Sequence, residues 1–329
     1  MALRRASPLE RHPLARLVLG RLVVGIGTLL VVSILIFYAT EVLPGNAAYA
    51  ILGHNASAQE VHVLEVELHL NRSTIAQYGS WLGNMLRGNP GMSLAASLPV
   101  WTVVKARLIN SAVLALVSGL IGTLIAVGLG VVAAARKDGK LDNTLSATAL
   151  AVTALPEFVV AIALVMLFAT IVFRILPGIS VLPPGTYAWQ RPTLLVLPVA
   201  SLAIIIVPYI FRMTRAAMIE ALESDWVEMA RLKGVPPLRV LARHALPNAL
   251  APIIQVVALT FLYLAGGIVI VENTFAYPGI GQGLVNAVTT RDIPVIQFIV
   301  LALAAFYIVV NILADVAVLL VTPRRRFPR

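Results

Sequence analysis

The sequence predicts an all-α membrane protein with six transmembrane helices and a small extracytoplasmic cap. Three observations predict it. Charged residues make up only 12% of the chain, against about 25% in a soluble domain. Hydrophobic residues reach 59%, with a mean hydropathy of +0.91. Six stretches are long and apolar enough to span a bilayer, which takes about 20 residues. So little charge cannot coat a globule, which excludes a soluble enzyme, a disordered chain and an ordinary nucleic-acid binder. The formal net charge of +10 leaves a nucleic-acid partner to be tested by where the basic residues fall.

The first stretch, Leu22–Thr40, carries no charge and follows five arginines: Arg4, Arg5, Arg11, Arg16 and Arg21. It exceeds the 7–15-residue core of a signal peptide and no small-x-small cleavage site follows it cleanly, so it is expected to stay as a span. The second, Leu108–Ala135, is also charge-free, and Gly119, Gly122, Gly128 and Gly130 suit close helix packing in lipid. The third, Thr144–Phe173, is interrupted only by Glu157, after Pro156. The fourth is Pro192–Phe211. The fifth, Ala245–Val271, holds Gly266-Gly267, which allow close approach or bending. The sixth, Ile293–Leu320, carries Asp315 near its end. Several runs exceed the minimum, so tilt or helix ends outside the lipid are expected.

Counting spans divides the chain into a cytoplasmic tail (1–21), a first helix (22–43), an extracytoplasmic cap (44–107), a five-helix core (108–321) with a large cytoplasmic loop at 212–247, and a cytoplasmic tail (322–329). Eighteen of the 25 basic residues then lie on the cytoplasmic side, the bias expected of an inner-membrane protein with both termini inside. That placement accounts for the +10 without nucleic acid, for which no aromatic platform or fold motif is present. In the cap, Ser57–Leu70 and Ile75–Leu86 have helical periodicity, and Gly88-Asn89-Pro90-Gly91 breaks the chain. No convincing internal repeat is visible.

Chemistry of its own is not expected. Cysteine is absent, and the five histidines form no ligand pair at helical spacing, so neither a catalytic residue nor a metal site is predicted. Gly139-Lys140 is followed by Leu141 and lacks the glycine-rich loop of a phosphate cradle. ATP hydrolysis, if it drives the protein, belongs to another chain.

The most informative segment is Ser224–Pro237 in the large loop. Asp225 with Glu228 three residues on reads as a capping box. Arg231 and Lys233 fall where the helix dipole favours cations. Gly234 suits a left-handed C-terminus, and Pro236-Pro237 forbids continuation. The outcome is a helix of about two turns with Trp226, Met229 and Ala230 as a partly apolar contact face: a docking element, or an ordinary interfacial amphipathic helix.

Glu157, with Phe158 beside it, is a candidate for the substrate pathway, because a charge in the membrane is costly. The alternatives are a carboxyl capping a proline-broken helix or one in a subunit interface. Asn311 and Asp315 share a face at i, i+4 and read as structural bridging near the inner surface. Glu272 opens an outer turn running through Phe275, Pro278, Gly279 and Gly281, read as a gate, a docking element or a structural re-entrant turn.

Glu228-Met229-Ala230, then Gly234, then Leu246-Pro247 resembles the EAA loop of bacterial ABC importer permeases, with Met229 for the first alanine and His244 for the usual isoleucine. His244–Leu250 resembles more specifically the oligopeptide/dipeptide/nickel permease family. So do Leu43-Pro44-Gly45-Asn46 (Asn46 for aspartate), Gln77-Tyr78, Gly88–Ser93, Val271–Gly281, Arg291-Asp292 and Thr322-Pro323-Arg324 (Thr322 for aspartate). The N-terminal extension of about 15–20 residues is not covered. The resemblance implies a type I ABC importer (MetI-like) transmembrane fold in the bacterial inner membrane. It implies a permease without ATPase chemistry, importing di- or oligopeptides, with ATP and Mg held by partner chains. It further implies a second homologous permease, two ABC ATPases and an extracytoplasmic binding protein as partners. Asp225, Trp226, Glu228, Met229, Ala230, Lys233 and Gly234 would carry the coupling. An ion-coupled secondary transporter, a channel or a membrane-anchored scaffold are the competing classes.

Overall fold

The computed structural model describes residues 13–42, 73–183 and 186–321, together with Ser57 and Gln59. Leu43–Asn46, most of Ser57–Leu70, the first twelve residues and the tail 322–329 lie outside the described residues.

Helix α1 spans Pro13–Val42, α2 Thr74–Leu86 and α3 Val100–Ala135. Helix α4 spans Lys140–Thr153 and α5 Glu157–Val165, continued by a π turn over Met166–Thr170. Helix α6 is Val196–Leu222, α7 Asp225–Leu232 and α8 Leu246–Thr274. Helix α9 is Ile280–Thr289 and α10 Ile293–Val321. Among the described residues five helices are long and apolar enough to cross a membrane, or six if α4 and α5 count as one span.

Three boundaries differ from the sequence expectation. Helix α1 covers Pro13–Val42 and so reaches into the expected tail, with Arg16 and Arg21 in helix. Helix α3 starts at Val100, so residues 100–107 are helical and continuous with the second apolar stretch. The third span is not straight: α4 and α5 meet at a bend of 101°. Pro156 has no N–H to continue the ladder and pushes Leu155 out of helical geometry, so a new helix begins at Glu157, whose charge suits a helix N-terminus.

Helix α6 is the centre: 67% of its apolar window is buried, against 17% for α1. It packs along α3, with α8 and α4 on its other sides, while α1 sits on α10 at the periphery. The α3 glycines make this closeness possible. A Cβ at Gly119 would sit 2.3 Å from the Phe261 ring, at Gly122 2.6 Å from Ile206, and at Gly130 2.7 Å from Thr214. Gly128 meets nothing and faces open space.

Charged pairs fasten one end of the helices. Asp142, at the start of α4 and fully buried, takes a two-pronged contact from Arg215 of α6 and the backbone N–H of Asp138. Lys137 pairs with Glu223. Asp315 of α10 pairs with Arg21 of α1, and Asn311 Nδ2 donates to Tyr307 O in its own helix. The bridging expected of Asp315 is therefore present, to Arg21. At the outer side, Gln297 donates to Thr40, and Asp292 accepts from Ser93 Oγ and the N–H groups of Leu94 and Ala95. Two sequence blocks almost 200 residues apart thus meet in one buried turn.

Candidate functional site

The 212–247 loop folds as a short helix clamped to the start of α8. The N-cap of α7 is Ser224, whose carbonyl accepts from the N–H groups of Val227 and Glu228. The Ser224 hydroxyl donates to Ala221 O at the end of α6. The expected capping box is not formed: Asp225 is the first helical residue and no side chain caps the helix. Spending the Ser224 hydroxyl on α6 leaves Asp225 and Glu228 as exposed carboxylates in the first turn, where the helix dipole still favours them.

The other end is as the sequence specifies. Gly234 has φ +74°, its N–H donates to Arg231 O, and Val235 N–H donates to Ala230 O. That is a Schellman closure, and it needs a residue tolerating the left-handed region. Lys233 is the C-cap and is exposed.

The faces of α7 separate cleanly. Val227 and Ala230 are buried against Val240, with Leu222 and Val235 packed around them. Trp226, Met229 and Leu232 are 54%, 55% and 75% exposed. Ala230 thus belongs to the underside that fastens the helix, not to the outer contact face expected for it. Its i, i+3 partner Val227 defines that inner stripe. Val240 opens a π turn, Val240–Ala245, that runs directly into Leu246-Pro247 of α8.

Along α8, Gly267 faces Glu157. A Cβ at Gly267 would lie 2.8 Å from Glu157 Oε2. Glu157 lines a cavity of ≈ 530 Å³ with Thr153, Tyr209, Tyr263, Gly266 and Ile270. Tyr263 lines the same cavity as Glu157, and Glu157 Oε2 is buried without a partner. Phe158 is 49% exposed and is not among the residues lining this cavity, so the structure separates the two expected pathway residues.

The outer motif is a carboxylate clamp. Glu272 does not open the turn; it sits in the last helical turn of α8 and is fully buried. Its Oε2 accepts from Gly281 N at 2.7 Å and Gln282 N at 3.2 Å, capping α9. Its Oε1 accepts from Ser111 Oγ of α3, and Ser111 Oγ accepts from Ile280 N at 2.8 Å. Asn110 donates to Pro278 O, accepts from Ala188 N, and its carbonyl accepts the Tyr277 hydroxyl. Phe275 is buried, and its carbonyl accepts from Ser180 N at 2.7 Å. Gly281 lies where a Cβ would meet Val269 Cα at 2.5 Å. Of the readings given to this motif, the structural turn is the one the geometry supports, because the side chains point inward. The sequence reading passed over Asn110 and Ser111; two adjacent amide and hydroxyl side chains inside an apolar span were the available signal.

Comparison with known proteins places this architecture. A family model described as "Binding-protein-dependent transport system inner membrane component" matches residues 126–327. The model of the corresponding N-terminal region matches residues 14–115. A probable peptide ABC transporter permease protein of Sinorhizobium fredii is 35% identical over 312 residues, covering 94% of this chain and 99% of the relative. A putative peptide transport system permease protein of Brucella abortus is 36% identical, with coverage of 94% and 99%. The glutathione transport system permease protein GsiC of Escherichia coli is 30% identical, with coverage of 94% and 98%. In structure, the chain is similar to one in the inward-facing MetNI methionine ABC transporter, with a TM-score of 0.55 and 20% identity over 68% of this chain and 97% of that one. That likeness concerns the fold.

Proposed function

This chain belongs to the family of binding-protein-dependent transport system inner membrane components, and on that premise we propose that it is the permease subunit of an ATP-driven peptide importer. Peptides are the substrate named for several relatives at 35–36% identity over nearly the whole chain. Family membership sets aside the ion-coupled carrier, the channel and the scaffold. Hydrolysis is the work of partner ATPases, with ATP and Mg bound there; the chain itself acts without catalysis. A second permease of the same family and an extracytoplasmic binding protein complete the assembly. Both termini face the cytoplasm, in line with the distribution of basic residues.

The observation that carries the coupling role is the arrangement of α7. Its outer face presents Trp226, Met229 and Leu232 to the exterior, an apolar patch of the kind that marks a protein contact. Its inner face, Val227 and Ala230, is packed on Val240, the first residue of the turn that becomes α8. A partner that grips the outer face therefore moves α8 without an intervening flexible segment. Helix α8 in turn carries Gly267, which covers Glu157 at the cavity. Asp225, Glu228 and Lys233 supply charges at the rim of the patch, and Gly234 fixes where the helix stops.

The test is reconstitution of this chain with its partner permease, ATPases and binding protein in proteoliposomes. ATP-dependent accumulation of a labelled di- or tripeptide, lost on omitting the ATPases, is the expected result. Accumulation driven by an ion gradient without ATPases overturns the assignment.

A further inference from the structure

We propose that Glu157 is the point on the translocation pathway that binds the ammonium group of the transported peptide. This rests on the peptide-import reading above. Four features of the cavity carry it. First, the carboxylate lies at the break between α4 and α5, and so stands at the end of a helix and not along its packed side. Second, its Oε2 is buried with no hydrogen-bond partner. Burying a carboxylate oxygen unpaired is expensive, and proteins keep such groups in membranes where function requires them. Third, no lysine or arginine lines the cavity, so no resident cation competes for the charge. Fourth, the wall opposite Oε2 is Gly267, the second glycine of the Gly266-Gly267 pair that lines the cavity. The second glycine leaves room for the carboxylate that any side chain would take.

The remaining lining suits an organic ammonium better than a metal ion. Tyr209 and Tyr263 face the cavity, with ring centroids 5.9 Å apart. Aromatic faces attract a desolvated ammonium, and the carboxylate supplies a charged acceptor. Among the described residues there is no cluster of three acidic, histidine or cysteine side chains to hold a metal. The cavity of ≈ 530 Å³ falls in the range of small-ligand sites. In the conformation seen here Oε2 is closed over by α8. Movement of α8 away from α5 opens the carboxylate to the cavity, and the incoming ammonium replaces the missing donor.

The experiment uses the full complex in proteoliposomes and compares labelled Ala-Ala-Ala with its N-acetylated form, each rate normalised to occupancy of the binding protein. The wild type is expected to favour the free amine. Glu157→Gln is expected to slow uptake of Ala-Ala-Ala by about tenfold or more, with ATP hydrolysis still stimulated by loaded binding protein. The preference over the acetylated peptide should then collapse. N-acetyl-Ala-Lys-Ala distinguishes the source of the ammonium: restored uptake in the wild type means a lysine side chain serves as well as the N-terminus. A preference unchanged by Glu157→Gln overturns the inference, as does simultaneous loss of uptake and of stimulated hydrolysis. If Glu157→Gln does not assemble, Glu157→Asp replaces it, with an intermediate preference expected and an unchanged one overturning the inference. A wild-type complex that moves no peptide refutes the importer reading itself, which separates the two failures.

Discussion

Glu272 and Gly279 share one buried corner so closely that a Cβ on Gly279 would lie 1.9 Å from Glu272 Oε1. The carboxylate caps α9 through the next two backbone N–H groups and binds Ser111 on α3. Three helices are thereby tied at a single buried charge. Gly279→Ala is expected to lower the melting temperature of the detergent-solubilised protein as much as Glu272→Ala does. For Glu272→Ala the loss is about 3 kcal/mol, because buried N–H groups lose their acceptor. If Gly279→Ala melts with the wild type, the corner is looser than described.

The pair Asp142–Arg215 is built as a fork, with Nε and Nη2 each bonding one carboxylate oxygen. Asp142→Asn is expected to cost about 2–4 kcal/mol, toward the lower part of the range for buried pairs because Arg215 keeps 27% exposure. Replacing both partners together, as Asp142→Leu with Arg215→Met, should recover much of that loss. Unfolding of the single and double variants in mild denaturant checks it, and a double variant no better than the worse single one contradicts the pairing.

The two faces of α7 should respond differently to mutation. Trp226→Ala and Met229→Ala change exposed side chains, so stability should move by no more than about 0.5 kcal/mol. Peptide-stimulated ATP hydrolysis and uptake should both drop. Ala230→Leu overfills the buried side and should destabilise by about 1–3 kcal/mol. Full coupling in the Trp226→Ala, Met229→Ala double variant removes the docking role from this face.

Gly234 holds φ at +74° with nothing near its Cβ position, so any penalty comes from the backbone alone. Gly234→Ala should cost about 1–2 kcal/mol, and Gly234→Asn less, since asparagine tolerates the left-handed region. Uptake is expected to follow the same order, glycine above asparagine above alanine. The reverse order would show that the glycine serves clearance to a partner and not the Schellman closure.

The absence of cysteine makes the orientation directly measurable. In intact cells Trp226→Cys should resist a membrane-impermeant thiol reagent, while Thr289→Cys, exposed on α9, should react. The opposite pattern inverts the proposed topology.

Much of the fold was legible because its signals are local. Apolar runs marked the spans, and Gly234 followed by Pro236-Pro237 marked the end of α7. The third span was only partly legible: Pro156 announces a break, but the 101° bend depends on what α5 packs against. The coupling loop was legible as a motif and less so as geometry. Whether Asp225 or Ser224 caps α7 turns on the contact of the Ser224 hydroxyl with Ala221, which spacing does not reveal. Ala230 reads as a contact residue until Val240 is seen beneath it. The clamp at Glu272 and the turn at Asp292 were least legible, because their partners Ser111 and Ser93 lie 161 and 199 residues away.

The pinning of α8 has a mechanical consequence. Its outer end is held by the Glu272 clamp and its inner end continues from the turn on which α7 rests, so the clamp is a fulcrum and the helix a lever. At about 1.5 Å of rise per residue, Gly267 lies roughly 7.5 Å from the fulcrum, and Leu246 lies roughly 40 Å from it. A tilt that carries the Leu246 end about 4 Å thus displaces Gly267 by about 0.8 Å, a gear ratio near five to one. That small stroke matches the scale on which a hydrogen bond at Glu157 is made or lost. A large swing at the Leu246 end is thereby converted into a fine adjustment at the carboxylate.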